Sequence, residues 1–315
     1  MSVEIQAEPY VCVIGAASVD LAGHSKSPVV MRDSNPGSLH VSWGGVGRNI
    51  AENLARLDVP VHLVTVLGDD IFSRQLQRHA TDCGISMHAR IVQDAVTPAY
   101  VCINDTNGEL VVAVAAMKLL DQLDEGWVQE NAQIIDGAGL CVIDANLGGE
   151  LIGFMLDKFP RQDFFVDAVS TAKAERLKPF LGRFVAIKMN RGEAGFLAGI
   201  EISGMESLQG AAHFFIEKGI RQVFISLGSD GMFYADAQNC GSLPSLPGVD
   251  TISTSGAGDA MMAGLAAADL RGLGLEDAAQ QAVAAAAITL QHAKAVNPDI
   301  SVAALQKLRE KYGHA

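Results

Sequence analysis

Positive charge is scarce in this sequence. Lysine and arginine number 23 against 36 aspartates and glutamates, a formal net charge of −13 at pH 7. The resulting field argues against broad contact with DNA, RNA or an anionic membrane. Small anions are another matter, because backbone amides at a helix start attract phosphate whatever the net charge. Cysteine is also sparse. Cys12, Cys83, Cys102, Cys141 and Cys240 are odd in number and far apart. With no C-x-x-C pair and no histidine read at metal-ligand spacing, they are expected to be reduced core residues, not a disulfide framework or a zinc site. No apolar run is long enough to span a bilayer, and residues 1–6 lack the basic-then-apolar pattern of an export signal, so the expectation is a soluble cytoplasmic protein. Two nucleotide-binding signatures are missing as well: no G-x-G-x-x-G follows the first strand run at Gly15, and no G-x-x-x-x-G-K-[ST] occurs anywhere.

What is present is a chain of 315 residues, 49% hydrophobic, able to bury a large core. Short apolar runs at 10–15, 61–68, 140–144, 164–167, 184–188 and 223–227 alternate with segments of helical spacing such as Ile50, Leu54 and Leu57. The alternation predicts an α/β fold with a mainly parallel sheet covered by helices. Two stretches break the rhythm with alternating patterns: 39–43, and 99–114 folded about Asp105-Thr106-Asn107-Gly108, where Asn-Gly is a hairpin turn signal. They predict a small sheet projecting from the main one, either a lid or an ordinary edge hairpin. No linker or repeat interrupts the chain, so one domain over 1–315 is expected, with lid segments near 21–43 and 97–118. The C-terminal third is helical and rich in small residues, including Ala284 to Ala287. Such residues let helices approach closely, or leave room for a flat ligand.

Several segments carry chemistry. Thr254-Ser255-Gly256-Ala257-Gly258-Asp259 leads into a helical stretch, which puts glycines and a carboxylate at a helix start. Amides gathered there stabilise an anion, and Asp259 is placed to accept a proton. The plainer reading is a helix start with an acidic first turn. Asn190-Arg191-Gly192-Glu193 follows a strand run and reads either as a capping box or as a pair holding the waters of a magnesium ion. Leu227 to Gly231 is a tight turn or a loop whose backbone meets a nucleotide. Gly44-Gly45-Val46-Gly47-Arg48-Asn49 opens a helix with glycines that let a ligand come near the backbone. Asp20 reads as a loop carboxylate, either solvated or fixing a sugar hydroxyl.

The order of these segments, G-G-V-G-R-N, N-x-x-E, L-G-S-D-G and G-A-G-D-A-M-M-A-G, resembles the ribokinase family of carbohydrate and nucleoside kinases over nearly the whole chain. The resemblance implies a ribokinase-like three-layer sandwich with a small β lid, and ATP with Mg²⁺ as cofactors. Asp259 then matches the general base, and Gly256, Ala257 and Gly258 the anion hole. Asn190 and Glu193 match the magnesium and phosphate motif, Glu193 and Asn190 acting through water. Asp20, Ser18, Gly45 and Asn49 match the sugar site. Ser226, Gly228, Ser229 and Gly231 match the nucleotide loop, with adenine near Ala286. Ser18 stands where an asparagine is often found. Ser253 and Ser255 stand where relatives carry aspartate and threonine, so the family's monovalent cation, K⁺, is implied with less of its pattern.

Within the family, Asp33-Ser34-Asn35-Pro36-Gly37, Asp167-Ala168-Val169-Ser170-Thr171-Ala172-Lys173 and Asn297-Pro298-Asp299 resemble the subgroup acting on a C-nucleoside. That implies phosphorylation of the 5′-hydroxyl of pseudouridine. Ser34, Asn35 and Lys173 join the substrate residues by this resemblance, Lys173 either neutralising charge near the transferring phosphoryl group or lying as a surface helix lysine. Alternatives are a kinase for another sugar or N-nucleoside, and an inactive nucleotide-binding sensor. A homodimer formed through the lid is a further implication.

Overall fold

The computed structural model describes residues 8–312; the reading of residues 1–6 falls outside them. Thirteen strands are described: β1 Val11–Ile14, β2 Ser18–Ser25, β3 Gly37–Gly44, β4 Val61–Gly68, β5 Ser86–Val92, β6 Ala99–Asn104, β7 Leu110–Ala116, β8 Leu140–Asp144, β9 Phe164–Asp167, β10 Ala186–Asn190, β11 Gln222–Ser226, β12 Met232–Ala235 and β13 Cys240–Leu243. Nine form one sheet in the order β13-β12-β11-β10-β9-β8-β1-β4-β5. All its pairings are parallel except those of β12 with β11 and β13. β3-β2-β6-β7 make a second, smaller sheet, the lid.

Residue alternation along the central strands divides the core between two faces. Cys12, Ile14, Cys141, Ile143, Ile187 and Met189 face one layer with Trp127, Met155 and Phe215. Val11, Val13, Leu140, Val142 and Phe165 face the other, with Ile50, Leu54, Met262 and Ala282. A strand buried on both faces reads as a continuous apolar run, which is why the sequence locates β1, β4, β8, β9, β10 and β11. The small residues of the C-terminal third serve close packing. A Cβ on Gly264 would sit 3.0 Å from the Ala282 Cα, so helices Ala257–Leu270 and Leu275–Thr289 meet nearly backbone to backbone.

The lid strands match the alternating stretches, and the hairpin turn is built by Asp105, whose Oδ1 accepts from the amides of Asn107 and Glu109, with Gly108 at φ 83°. Four sequence-based expectations need correction. Asp20 does not lie in a loop but in β2, whose small and polar residues give little strand signal. β5 was not anticipated because its residues are half-buried and mixed. Cys240 is exposed on edge strand β13, not in the core, although all five cysteines are free. His79 and Cys83, four residues apart, do come within 4.8 Å of each other and of Glu52. The Glu52 carboxylate there is already engaged by Arg48 and Arg56.

No helix among the described residues is long and apolar enough to cross a membrane.

Candidate active site

Parallel α/β sheets bind ligands beyond the carboxyl ends of their strands, and there this chain concentrates its buried charge. Asp144 pairs in register with Asp167, and Asp167 with Lys188, so the ends of β8 and β9 and the middle of β10 carry an acid, an acid and a base side by side. Lys188 Nζ donates to Asp167 Oδ2 at 3.0 Å. Asp144 accepts from the Ala16 amide at 2.8 Å and the Asn146 amide at 2.9 Å. Gly15 leaves room for it, since a Cβ there would lie 2.2 Å from Asp144 Oδ2.

Helix Ala257–Leu270 starts above this row. Its N-cap, Gly256, has φ 78°, and a Cβ would meet the Ala295 carbonyl at 1.8 Å. Only glycine suits that left-handed, crowded position. The first-turn amides have no intrahelical partners, and Asp259 sits among them. Its carboxylate accepts from Asn49 Nδ2 at 2.7 Å. Burial, with Asp167 adding negative charge, pushes the Asp259 carboxyl up to about 7, against the Asn49 bond and the Lys188 charge. An acid poised near neutrality suits a general base.

Asn49 is held in turn. It belongs to helix Val46–Arg56, entered through Gly45 at φ 91°, where a Cβ would lie 2.4 Å from the Ala16 carbonyl. Buried Arg48 donates to Asn49 Oδ1 and, at 2.8 Å, to the Trp43 carbonyl at the end of β3. A continuous line therefore runs from lid to Arg48, Asn49 and Asp259. Asp20 faces the same cleft in β2; burial raises its carboxyl and the Arg48 charge opposes that. Gly44 admits Asp20, as a Cβ would come within 2.3 Å of its carboxylate. Ser18 is buried beside Asp20, and its Oγ makes no hydrogen bond of acceptable geometry.

Of the two readings of N-x-x-E, the capping box is present in full. Asn190 Oδ1 accepts from the Glu193 amide at 2.9 Å while the Glu193 carboxylate accepts from the Asn190 amide at 2.8 Å, a complete capping box on helix Arg191–Ala198. Yet Glu193 is buried near Lys188 and Asp167, and burial raises its carboxyl. Three carboxylates, Asp167, Glu193 and Asp259, thus lie around Lys188, with Asp144 close to Asp167 and Asp259. A surplus of hard oxygen donors of this kind suits Mg²⁺.

Past β11, Gly228 has φ 65° with open space at its Cβ position. Gly231, at φ 96°, would place a Cβ 2.0 Å from the Leu243 carbonyl. Ser226 Oγ donates to the Met189 carbonyl at 3.3 Å, and the Ser229 carbonyl accepts from Ser245 at 2.6 Å. Beside Ser245 lies a cavity of about 410 Å³ lined by Leu243, Pro244, Leu246, Val283 and Ala284. Ala286 is buried in the apolar layer and is not among its lining residues.

The subgroup residues scatter. Ser34 and Asn35 occupy the exposed connection between β2 and β3, where the Asn35 side chain is spent on the backbone of Val30 and Asp33. Lys173 is half-buried and donates to Asn146 Oδ1, with Asp144 nearby. The lysine against the helix start is Lys188, which sequence reasoning missed. Its signal was a single charge inside the apolar run 184–188.

A helix start bearing glycines and a poised carboxylate, set over the carboxyl edge of a parallel sheet and roofed by a small lid, defines a small-molecule kinase of the ribokinase fold. The chain belongs to the pfkB family of carbohydrate kinases, whose sequence profile matches residues 8–301, and so to the phosphotransferases with an alcohol acceptor. It is 32% identical over 302 residues to the pseudouridine kinase of Escherichia coli K12, covering 96% of each chain. A carbohydrate kinase from Agrobacterium tumefaciens superposes with a TM-score of 0.84 at 27% identity, covering 95% of this chain and 96% of that one. Arabidopsis thaliana ribokinase, solved with ribose and ATP, shares the fold with a TM-score of 0.85 at 21% identity, covering 96% and 99%.

Proposed function

We propose that this enzyme phosphorylates the 5′-hydroxyl of pseudouridine, using ATP and Mg²⁺ and giving pseudouridine 5′-phosphate and ADP. The observation that carries the chemistry is Asp259, a carboxylate poised near neutrality at the start of a helix and held by Asn49. The substrate rests on the similarity to the Escherichia coli enzyme. Bound Mg²⁺ and ATP would supply the phosphoryl group and neutralise its charge. On the protein side, Asp20 and Ser18 bind sugar hydroxyls, and Asn49 orients Asp259. Asp259 takes the hydroxyl proton late, because phosphoryl transfer has a loose transition state in which positioning does most of the work. The amides of Gly256, Ala257 and Gly258 receive the anionic charge. Asn190 and Glu193 would hold magnesium-bound water, and Gly228, Ser229 and Gly231 would line the nucleotide, with its base toward helix Leu275–Thr289.

The lid, covering 21–43 and 97–118 of a single domain, excludes water when it closes and so suppresses ATP hydrolysis. Its exposed Leu39, Val41, Val112 and Val114 support pairing of two copies through this sheet, which light scattering would report as a dimer. A cytoplasmic setting goes with ATP as donor. Ser253 and Ser255 do not favour a tightly held K⁺, so activity should depend weakly on monovalent cations.

The test is ADP release with pseudouridine, uridine and ribose in parallel. A preference for pseudouridine supports the reading, and a preference for ribose or uridine replaces the substrate while keeping the chemistry. No turnover on any, with ATP still bound, favours a nucleotide sensor.

A further inference from the structure

In a chain with a net charge of −13, Arg48, Arg56, Lys294, His79 and His292 line a single cavity of about 230 Å³. It lies between lid strand β3, helix Val46–Arg56, His79 of helix Ile71–Asp82 and segment 292–298. Glu52 is the only carboxylate in its lining, so three fixed cations leave a surplus of two positive charges before either imidazole is counted. Asp20 and Asp259 also act on Arg48, but neither lines the cavity. Glu52 has no oxygen to spare. Its Oε2 is taken by Arg48 and, at 3.1 Å, by His79; its Oε1 accepts from Arg56 at 2.8 and 3.0 Å. Lys294 Nζ and His292 Nε2 have no hydrogen-bond or ion-pair partner among the described residues. Arg48 is 3% exposed, and its Nε is also without a hydrogen-bond partner. Val41, Trp43, Val296 and Pro298 give the same cavity an apolar wall.

We propose that this cavity binds a small organic dianion, and that the occupant acts on turnover through Arg48. Unspent cations call for an anion, and a fixed apolar wall calls for carbon. Guanidinium and ammonium groups hold phosphate and carboxylate alike by charge-assisted hydrogen bonds, so a short-chain phosphate monoester and a dicarboxylate share the required chemistry. The volume is below the roughly 300 Å³ at which pockets begin to hold drug-sized ligands, and a nucleotide is too large. Two supports of the catalytic helix start border the cavity. Arg48 donates to Asn49 Oδ1, and the carbonyl of Ala295, the residue after Lys294, packs against Gly256. The binding half of the inference stands apart from the kinase reading, and the effector half rests on it.

The test is calorimetry with glycerol 3-phosphate, malate and sulfate, with saturating Mg²⁺ and ADP present to keep the probes out of the nucleotide site. At least one organic probe should bind, and whichever does so identifies the head group. Two CH₂ groups laid on the apolar wall should make it about tenfold tighter than sulfate. Lys294 is exposed and unpartnered, so Lys294→Gln should fold as the wild type does and weaken the organic probe by about tenfold. Lys294→Arg keeps the charge and should stay within about threefold of the wild type. Binding by neither organic probe, sulfate binding as tightly, or an affinity unmoved by Lys294→Gln overturns the site. In ADP-release assays the bound probe should change kcat by at least about twofold in the wild type and not in Lys294→Gln. A bound probe that leaves kcat unchanged removes the effector role. A protein that turns over no acceptor takes that role down with the kinase reading, while calorimetry still decides the site.

Discussion

Asp259→Asn should make the protein more stable as it makes it inactive, and the gain should grow with pH. The Asp259 carboxyl titrates near 7 when folded against 3.8 as its ordinary value. A carboxyl raised in this way lends the fold stability that is complete below the unfolded value and is lost as pH rises through the folded one. At about 1.4 kcal/mol for each pKa unit, the ionised side chain costs roughly 4 kcal/mol above pH 7. Its partial opening to the cleft screens that, and about 2 kcal/mol is a fairer figure. Asparagine keeps an oxygen to accept from Asn49 and carries no charge, so the variant escapes the cost. Near pH 4 the two proteins should melt together. By pH 8 the variant should melt higher by about 4 °C, at roughly 2 °C per kcal/mol for a chain of this size. Turnover should fall by about a thousandfold or more, with ATP affinity changed by less than about twofold. Differential scanning calorimetry from pH 4 to 8, with ADP release on the same samples, measures all of it. A melting difference independent of pH, or a variant less stable at pH 8, would refute the reasoning, and near-normal turnover would remove Asp259 as base.

Other expectations follow from the same geometry. The pH profile of kcat/KM should rise with pH and level off above an apparent pKa near 7, because only the ionised Asp259 accepts a proton; a flat profile from pH 5.5 to 8 would contradict this. Gly256→Ala forces a Cβ into the Ala295 carbonyl at positive φ. It should cost about 2–4 kcal/mol in urea unfolding and reduce turnover by displacing the helix start. Arg48→Met removes a buried guanidinium shared by Glu52, Asn49 and Trp43. Burial would raise the Glu52 carboxyl, but His79, Arg48 and Arg56 hold it down at about 2, so losing Arg48 should cost about 3 kcal/mol. It should also uncouple lid from base, seen as a larger fall in kcat than in ATP affinity; a loss of stability alone would make Arg48 purely structural.

The sequence by itself determined the layered α/β fold and the order of the site segments. Strands buried on both faces must be apolar throughout, and glycines at 45 and 256 answer backbone demands that no other residue meets, so both leave local marks. Asp259 and the N-x-x-E box were legible for the same reason, since each occupies a fixed offset from a helix start. The lid strand β2 was not, because half-exposed small and polar residues carry no period strong enough to separate strand from loop. Tertiary structure alone decided which charges meet. Asp144, Asp167 and Lys188 are 44 positions apart from first to last, and only the parallel register of β8, β9 and β10 sets them in one row. The same holds for Asn49 and Asp259, joined across 210 positions. A carboxylate's pKa depends on what is buried beside it, and that is a property of the fold, not of the local sequence.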